Sequence, residues 1–215
     1  MAMSYTTLVA NKDTPGSIQY YVRHSLVPSD SILESAQGLI YSLLRVREMK
    51  ALATGTIAIG AFTLLLPPNF VEPVTFWLGG LYKTKLRILD EDHFEMRMGR
   101  DATDTPYPGT PTECTADATQ FYFNTQMDVI YTYRLWHIIK PAPLVLTTNE
   151  TNFLTVRYPH ILEAMCKYYA YMHREQNDLA QTWLTIAKAA IDQANGEYDI
   201  FKQQLQHEMF WDNNS

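Results

Sequence analysis

Residues 71–88 read VEPVTFWLGGLYKTKLRI, and the fold class turns on this stretch. Two β-prone runs, 71–78 and 81–88, flank Gly79-Gly80. Both turn residues accept positive φ without a Cβ penalty, so the pattern predicts a β-hairpin. The second run alternates: Tyr82, Thr84, Leu86 and Ile88 fall on one face, and Lys83, Lys85 and Arg87 on the other. That period of two is the mark of a half-buried strand.

The β texture extends in both directions. Upstream, residues 51–71 carry no charge and follow Arg45, Arg47 and Lys50, which on length alone would suit a membrane span. Gly55, Gly60, Pro67 and Pro68 argue against a helix there, and residues 57–59 and 62–64 read as short strands around a Gly60 turn. No membrane insertion is expected. Downstream, residues 90–98 read as one or two helical turns. Residues 101–111 read as a loop because Pro106, Pro108, Gly109 and Pro111 interrupt them. Residues 112–117, 120–124 and 128–139 read as strands, and Lys140-Pro141-Ala142-Pro143 closes the region.

Helical patterns lie on either side. Ser31 and Glu34 fit a capping box, in which each side chain satisfies a backbone N–H of the first turn. Ile32, Ala36, Leu39, Leu43 and Val46 then recur at helical spacing, predicting a helix to about Met49. Near the other end, Pro159 suits a first helical turn, where its missing N–H costs nothing. Ile161, Leu162, Met165, Tyr168, Tyr169 and Met172 follow on one side. A second helix begins after Asn177, with Leu179, Trp183, Ile186, Ala187, Ala190, Ile191 and Ala194 as its buried stripe. Asn195-Gly196 is where that helix would stop or kink, and Tyr198, Phe201, Leu205 and Met209 would line a further one.

The predicted fold is α+β. A helical bundle (one N-terminal helix, two or three C-terminal helices) carries an antiparallel, sandwich- or barrel-like β insertion. The expected division is an arm at 1–28, the bundle at 29–50 and 147–209, the insertion at 51–146 and a tail at 210–215.

Composition narrows the function. The 215 residues hold 17 Lys plus Arg and 23 Asp plus Glu, a net charge of −6. Generic nucleic-acid binders carry the opposite sign, because they release counterions from phosphates. Aromatics reach 13%, with 14 Tyr, which serves strands and interfaces alike. Cys114 and Cys166 give neither a disulfide framework nor zinc-ligand spacing. The first 30 residues lack the basic head and apolar run of a signal peptide.

Catalytic signatures are missing: no phosphate loop, nucleophile elbow, zinc-protease helix or redox cysteine pair occurs. Asp90, Glu91, Asp92, His93 and Glu95 form an acidic cluster with one imidazole, but Phe94 and Met96 sit where a calcium loop needs ligands. It reads as an acidic first turn of a short helix. Glu91, Glu95 and Glu113 are the carboxylates a glycoside hydrolase would need. The six histidines show no triad-like spacing, and no metal or cofactor is expected. Asn149-Glu150-Thr151 has the form of a glycosylation sequon and reads as turn chemistry, with Thr151 or Asn152 as a helix cap.

Three parts of the chain together resemble the tail-tube and head–tail adaptor proteins of short-tailed bacteriophages. The first is Tyr131-x-Tyr133-x-Leu135 leading into Lys140-Pro141-x-Pro143-Leu144. The second is Asn149-x-Thr151-Asn152-x-Leu154 followed by Tyr158-Pro159-x-Ile161-Leu162-x-Ala164. The third is the following helix with Trp183 in its stripe. The likeness covers most of residues 31–205, and the order of the parts is more telling than any one of them. The first 28 residues match nothing in that family.

The resemblance implies a non-enzymatic structural protein of the virion neck, made in the host cytoplasm. It implies a homo-oligomeric ring, commonly a dodecamer, beneath the portal. Such a ring extends the DNA channel, through which duplex DNA passes without sequence-specific binding. It receives a nozzle or the next tail protein, and in some cases fibres. It also implies docking on the portal through a C-terminal segment, here containing Met209, Phe210 and Trp211. Lys83, Lys85 and Arg87 are candidate inter-subunit or phosphate contacts. The competing readings are a tail-borne cell-wall hydrolase using a carboxylate pair, and a carbohydrate- or protein-binding β-module.

Overall fold

The computed structural model describes residues 3–79, 83–99, 105–145 and 148–211, with side chains through 200. The chain forms two compact units, residues 1–48 with 141–215, and residues 49–140. In chain order, α1 (Tyr5–Leu8), α2 (Ile18–Val22) and α3 (Ser29–Leu43) lead through a 3-10 turn (Arg47–Met49) into β1 (Lys50–Ile57). Then come β2 (Thr63–Leu65), β3 (Phe70–Gly79), β4 (Lys83–Ile88), α4 (Glu91–Glu95) and β5 (Pro108–Gly109). The strands end with β6 (Glu113–Ala116), β7 (Gln120–Phe123), β8 (Gln126–Met127) and β9 (Tyr131–Ile139). Helices α5 (Phe153–Arg157), α6 (Pro159–His173) and α7 (Asn177–Trp211) finish the chain.

The second unit is a seven-stranded, nearly closed, barrel-like sheet in the order β1-β9-β3-β4-β6-β7-β2. β3 and β4 pair antiparallel as the hairpin reading requires; Gly80, Leu81 and Tyr82 lie outside the described residues. The alternation in β4 holds: Leu86 is buried, whereas Lys83, Lys85 and Arg87 are exposed. The sheet is not wholly antiparallel. β4 and β6 run parallel, with Arg87 opposite Glu113 and Ile88 opposite Cys114. The crossover that permits this contains α4. The residue 128–139 strand is shorter than expected, because Tyr131 opens β9 and Gln126–Met127 pairs separately with β5.

Aromatic side chains fill the barrel. The Phe76 ring meets Phe121 edge-on at 5.1 Å and Phe123 at 5.7 Å, and Leu78, Leu86, Met127 and Leu135 close around them. Such pairs add about 0.5–1.5 kcal/mol each beyond the area they bury.

In the first unit, α3 and α7 both pack on α6. Ile32, Leu33, Ala36 and Ile40 of α3 are buried, as are Ile161, Leu162, Met165 and Cys166 of α6. The Ser31–Glu34 capping box does not form. The helix starts three residues earlier, with Pro28 at the N-cap and Ser29 as its first residue, and Ser31 Oγ donates to the Pro28 carbonyl. It also ends at Leu43 rather than near Met49. Leu44 turns extended, and Leu44 and Val46 are both buried. Among the described residues, 3–28 are not a loose arm. Ser4 and Ser17 cap the two short helices, and Leu8, Ile18, Val22 and Val27 are buried. Asn152 caps α5 in a reciprocal box with Thr155, and Pro159 takes the first turn of α6 as expected. The sequon residue Asn149 serves a turn, its Nδ2 donating to the Ala142 and Pro143 carbonyls.

Candidate functional site

Helix α7 is the longest element, 35 residues against 15 in α6. At ~1.5 Å per residue the two span roughly 52 and 22 Å. They run back to back through the turn at Arg174–Gln176, so α7 outreaches its partner by some 30 Å. Its dry side is made of small residues, Ala180, Ala187 and Ala194, with Ile191 among them. Trp183 lies at the margin, where the Lys167 ammonium rests 4.1 Å from its ring. Leu179 and Ile186, expected in the stripe, are instead 47% and 46% exposed. Ile200, two further heptads along the same line, is exposed as well.

Asn195-Gly196 does not stop this helix. Asn195 Oδ1 accepts the Arg45 backbone N–H at 2.7 Å, and its Nδ2 donates to the Leu43 carbonyl at 3.1 Å. One side chain thus satisfies an orphan carbonyl at the end of α3 and the amide just after it, and clamps α7 there. Beyond this clamp, helical backbone continues to Trp211. Met209, Phe210 and Trp211 therefore sit on the last turn of a helix rather than in a separate tail. Their side chains, and residues 212–215, lie outside what is described.

The outer face of the sheet holds a hollow of about 350 Å³, lined by Trp77, Gly79, Lys83, Thr132, Arg134 and Trp136 with Leu78. The ladder explains its composition. Lys85, Trp77 and Arg134 form one row across β4, β3 and β9, and Lys83, Gly79 and Thr132 form the next. Gly79 makes the floor, since a Cβ there would lie 2.5 Å from Thr132 Oγ1. Lys50 from β1 rests 4.9 Å over the Trp136 ring. The basic row read from sequence therefore divides. Lys83 lines the hollow and Lys85 stands beside it, opposite Trp77, whereas Arg87 approaches Glu113 Oε1 at 4.0 Å, where Arg97 already lies at 2.8 Å.

A second surface of the same unit has the opposite sign. Glu91 and Glu95 of α4 face Asp117 and Tyr122 across a groove of about 240 Å³, floored by Thr115 and Ala116. Asp117 Oδ1 accepts the backbone N–H groups of Thr119 and Gln120 at 2.6 and 2.8 Å. These bonds pull its carboxyl down to about 2. The N–H of His93 also lowers the carboxyl of Asp90, which caps α4. A general acid needs the reverse shift. Glu113, the third carboxylate read from sequence, belongs to the arginine cluster instead. Burial raises both thiols, Cys114 to about 12 and Cys166 further, which removes the thiolate a nucleophile requires. His137 is buried, stacked on Phe70 at 5.6 Å.

Among the described residues no group of His, Cys, Asp and Glu is arranged to hold a metal. Among them, too, no helix is long and apolar enough to cross a membrane.

Sequence reasoning missed Asn195, Trp77, Trp136 and Arg134. Asn195 carried the look of a helix stop. The other three meet only through strand pairing, which no local pattern encodes.

These features define a structural class: a helical unit with one overlong helix, joined to a barrel-like β insertion, with its chemistry spread over surfaces. The family model described as "SU10 adaptor protein" matches residues 16–207. The chain belongs to that family, and its role is that of a phage adaptor, a structural component of the virion neck. The match begins at residue 16, so it takes in much of the N-terminal segment that the resemblance left unplaced. No curated protein matches the chain.

Proposed function

We propose that this adaptor assembles as a ring beneath the portal, prolongs the DNA channel and receives the next tail protein. The observation that carries the reading is α7. It is a single helix that runs far past its own bundle and ends in Met209, Phe210 and Trp211. Aromatic and Met residues at the end of a projecting helix are the side chains that anchor into a partner's pocket. The exposed line Leu179, Ile186 and Ile200 adds an apolar stripe that the unit's own core leaves unused.

Two further features support it. The tip formed where Gly60 and Ala61 hydrogen-bond to Met127 presents Ile59, Val129 and Ile130, all exposed. That is an apolar end suited to a distal tail component. A subunit charge of −6 suits a channel through which DNA must slide, because a basic wall would hold phosphates.

The test is the mass of the purified chain alone and after mixing with portal rings of the phage that encodes it. Stoichiometric rings on the portal are expected. Deleting residues 210–215 should leave thermal unfolding unchanged and weaken docking at least tenfold. A full-length chain that ignores the portal refutes the reading, and a truncated chain that docks equally well refutes the anchor.

A further inference from the structure

The cationic hollow on β9, β3 and β4 is an anomaly on an acidic protein. Among the described residues, Lys83, Lys85 and Arg134 form no ion pair, and no carboxylate lines the hollow. Two tryptophans flank these cations, Trp77 39% exposed and Trp136 partly covered by Lys50. Desolvated Trp with Arg beside it is the composition of a protein-binding hot spot. Duplex DNA fits less well. It offers phosphates to the cations, but its stacked bases leave nothing for the indole faces.

A surface that carries three carboxylates exists on every copy of this chain. The groove between α4 and β7 carries Glu91, Glu95 and Asp117. It shares no residue with the hollow. The two lie on different strands of the same sheet, β9-β3-β4 and β6-β7. A surface that complements a different surface on an identical molecule makes a heterologous contact, and such contacts repeat into rings.

We infer that the Trp77–Arg134 hollow of one subunit receives the acidic Glu91–Glu95 groove of a second copy. The β insertions of neighbouring subunits then join head to tail. This rests on the ring-forming reading above and names the surfaces that would close the ring. Three cations meet three carboxylates, and the indoles exclude water around them, which strengthens each pair. Charge complementarity of this kind fixes register and suppresses wrong pairings.

The experiment is a charge swap scored on portal rings. One variant carries Lys83→Glu and Lys85→Glu, the other Glu91→Lys and Glu95→Lys. Each reversed surface repels its unreversed partner, so each variant alone should lose ring closure at least tenfold relative to wild type. An equimolar mixture should recover it, because each reversed surface then meets its complement. Raising the salt from about 0.05 to 0.5 M should weaken the wild-type ring, since screening shortens to a few Å.

Should either variant melt early, the wild-type ring is tested directly. Carbodiimide cross-linking of mixed light and heavy-isotope subunits should join Lys83 or Lys85 of one copy to Glu91 or Glu95 of another. Variants that close rings as well as wild type, a mixture that fails to recover, or cross-links elsewhere overturn the contact while the adaptor reading stands. Wild-type chain that never joins the portal overturns both. Duplex DNA retained by wild type and released by the Lys83→Glu, Lys85→Glu variant, with ring closure intact, assigns the hollow to DNA and also overturns the contact.

Discussion

Asn195→Ala tests the clamp that holds α7 in place. The substitution removes two hydrogen bonds, to the Arg45 N–H at 2.7 Å and from Nδ2 to the Leu43 carbonyl at 3.1 Å. Each is worth about 0.5–1.5 kcal/mol net, and the part-buried Arg45 amide is left without its acceptor. Alanine returns about 0.6 kcal/mol of helix propensity. The balance is a loss of about 1.5 kcal/mol. With a urea slope of about 2 kcal/mol/M, the unfolding midpoint of the helical unit falls by roughly 0.7 M. Labelling of Cys166, buried in α6, reports that unit alone. Asn195→Asp should fall between the two. It keeps the acceptor for Arg45 but sets an oxygen against the Leu43 carbonyl. Portal docking should weaken in the same order, because the clamp sets the direction in which the distal turns leave the bundle. A midpoint within about 0.2 M of wild type for Asn195→Ala would refute the clamp.

Three other outcomes are expected. Gly79→Ala should destabilise the β unit by about 1–3 kcal/mol through the collision with Thr132 Oγ1. Most of that should vanish in a Thr132→Ala background, and additive effects in the double-mutant cycle would refute the close approach. Asp117 has a folded pKa near 2, below the unfolded 3.8, so its stabilisation is present above about pH 4 and is lost as pH falls towards 2. The gap in denaturation midpoint between wild type and Asp117→Asn should close over that window, and a gap independent of pH would count against the turn hydrogen bonds. Neither Cys114 nor Cys166 should react with an aromatic disulfide in native buffer, and each should react as its own unit unfolds; rapid native labelling would contradict their burial.

What the sequence revealed follows the range of the interactions. The β3–β4 hairpin, the exposed face of β4, the Pro159 start and the Asn152 cap are local, within a few residues of one another, and all were legible. The start of α3 was misread because Ser31 and Glu34 carry a capping pattern, while Pro28 supplies the carbonyl that Ser31 takes. Its end was misread because no Gly or Pro marks Leu44, where the backbone turns extended and leaves Leu44 and Val46 buried. The parallel β4–β6 pair and the Trp77–Arg134–Lys83 hollow depend on strands far apart in sequence. In α7 the apolar pattern was read correctly but merged two rows. Ala180, Ala187 and Ala194 allow close approach to α6, and the larger Leu179 and Ile186 are left outside that seam.

That last misreading carries the argument about function. A helix stabilised only by its own bundle would place its large apolar residues in the seam and its small ones outside. Here only Ile191 joins the alanines in the seam, while Leu179, Ile186 and Ile200 lie about half exposed on one line outside it. Burying each of the three fully is worth about 1.5–3 kcal/mol, and with about half of each side chain exposed the isolated subunit leaves roughly half of it uncollected. The same holds for Trp77 over an unpaired set of cations and for Ile59, Val129 and Ile130 at the barrel tip. Folding alone leaves these surfaces unsatisfied, and the assembly proposed above would cover them. A family whose members are adaptors needs that division: a subunit stable enough to fold alone, with its remaining apolar and ionic stabilisation deferred to the contacts that join one virion component to the next.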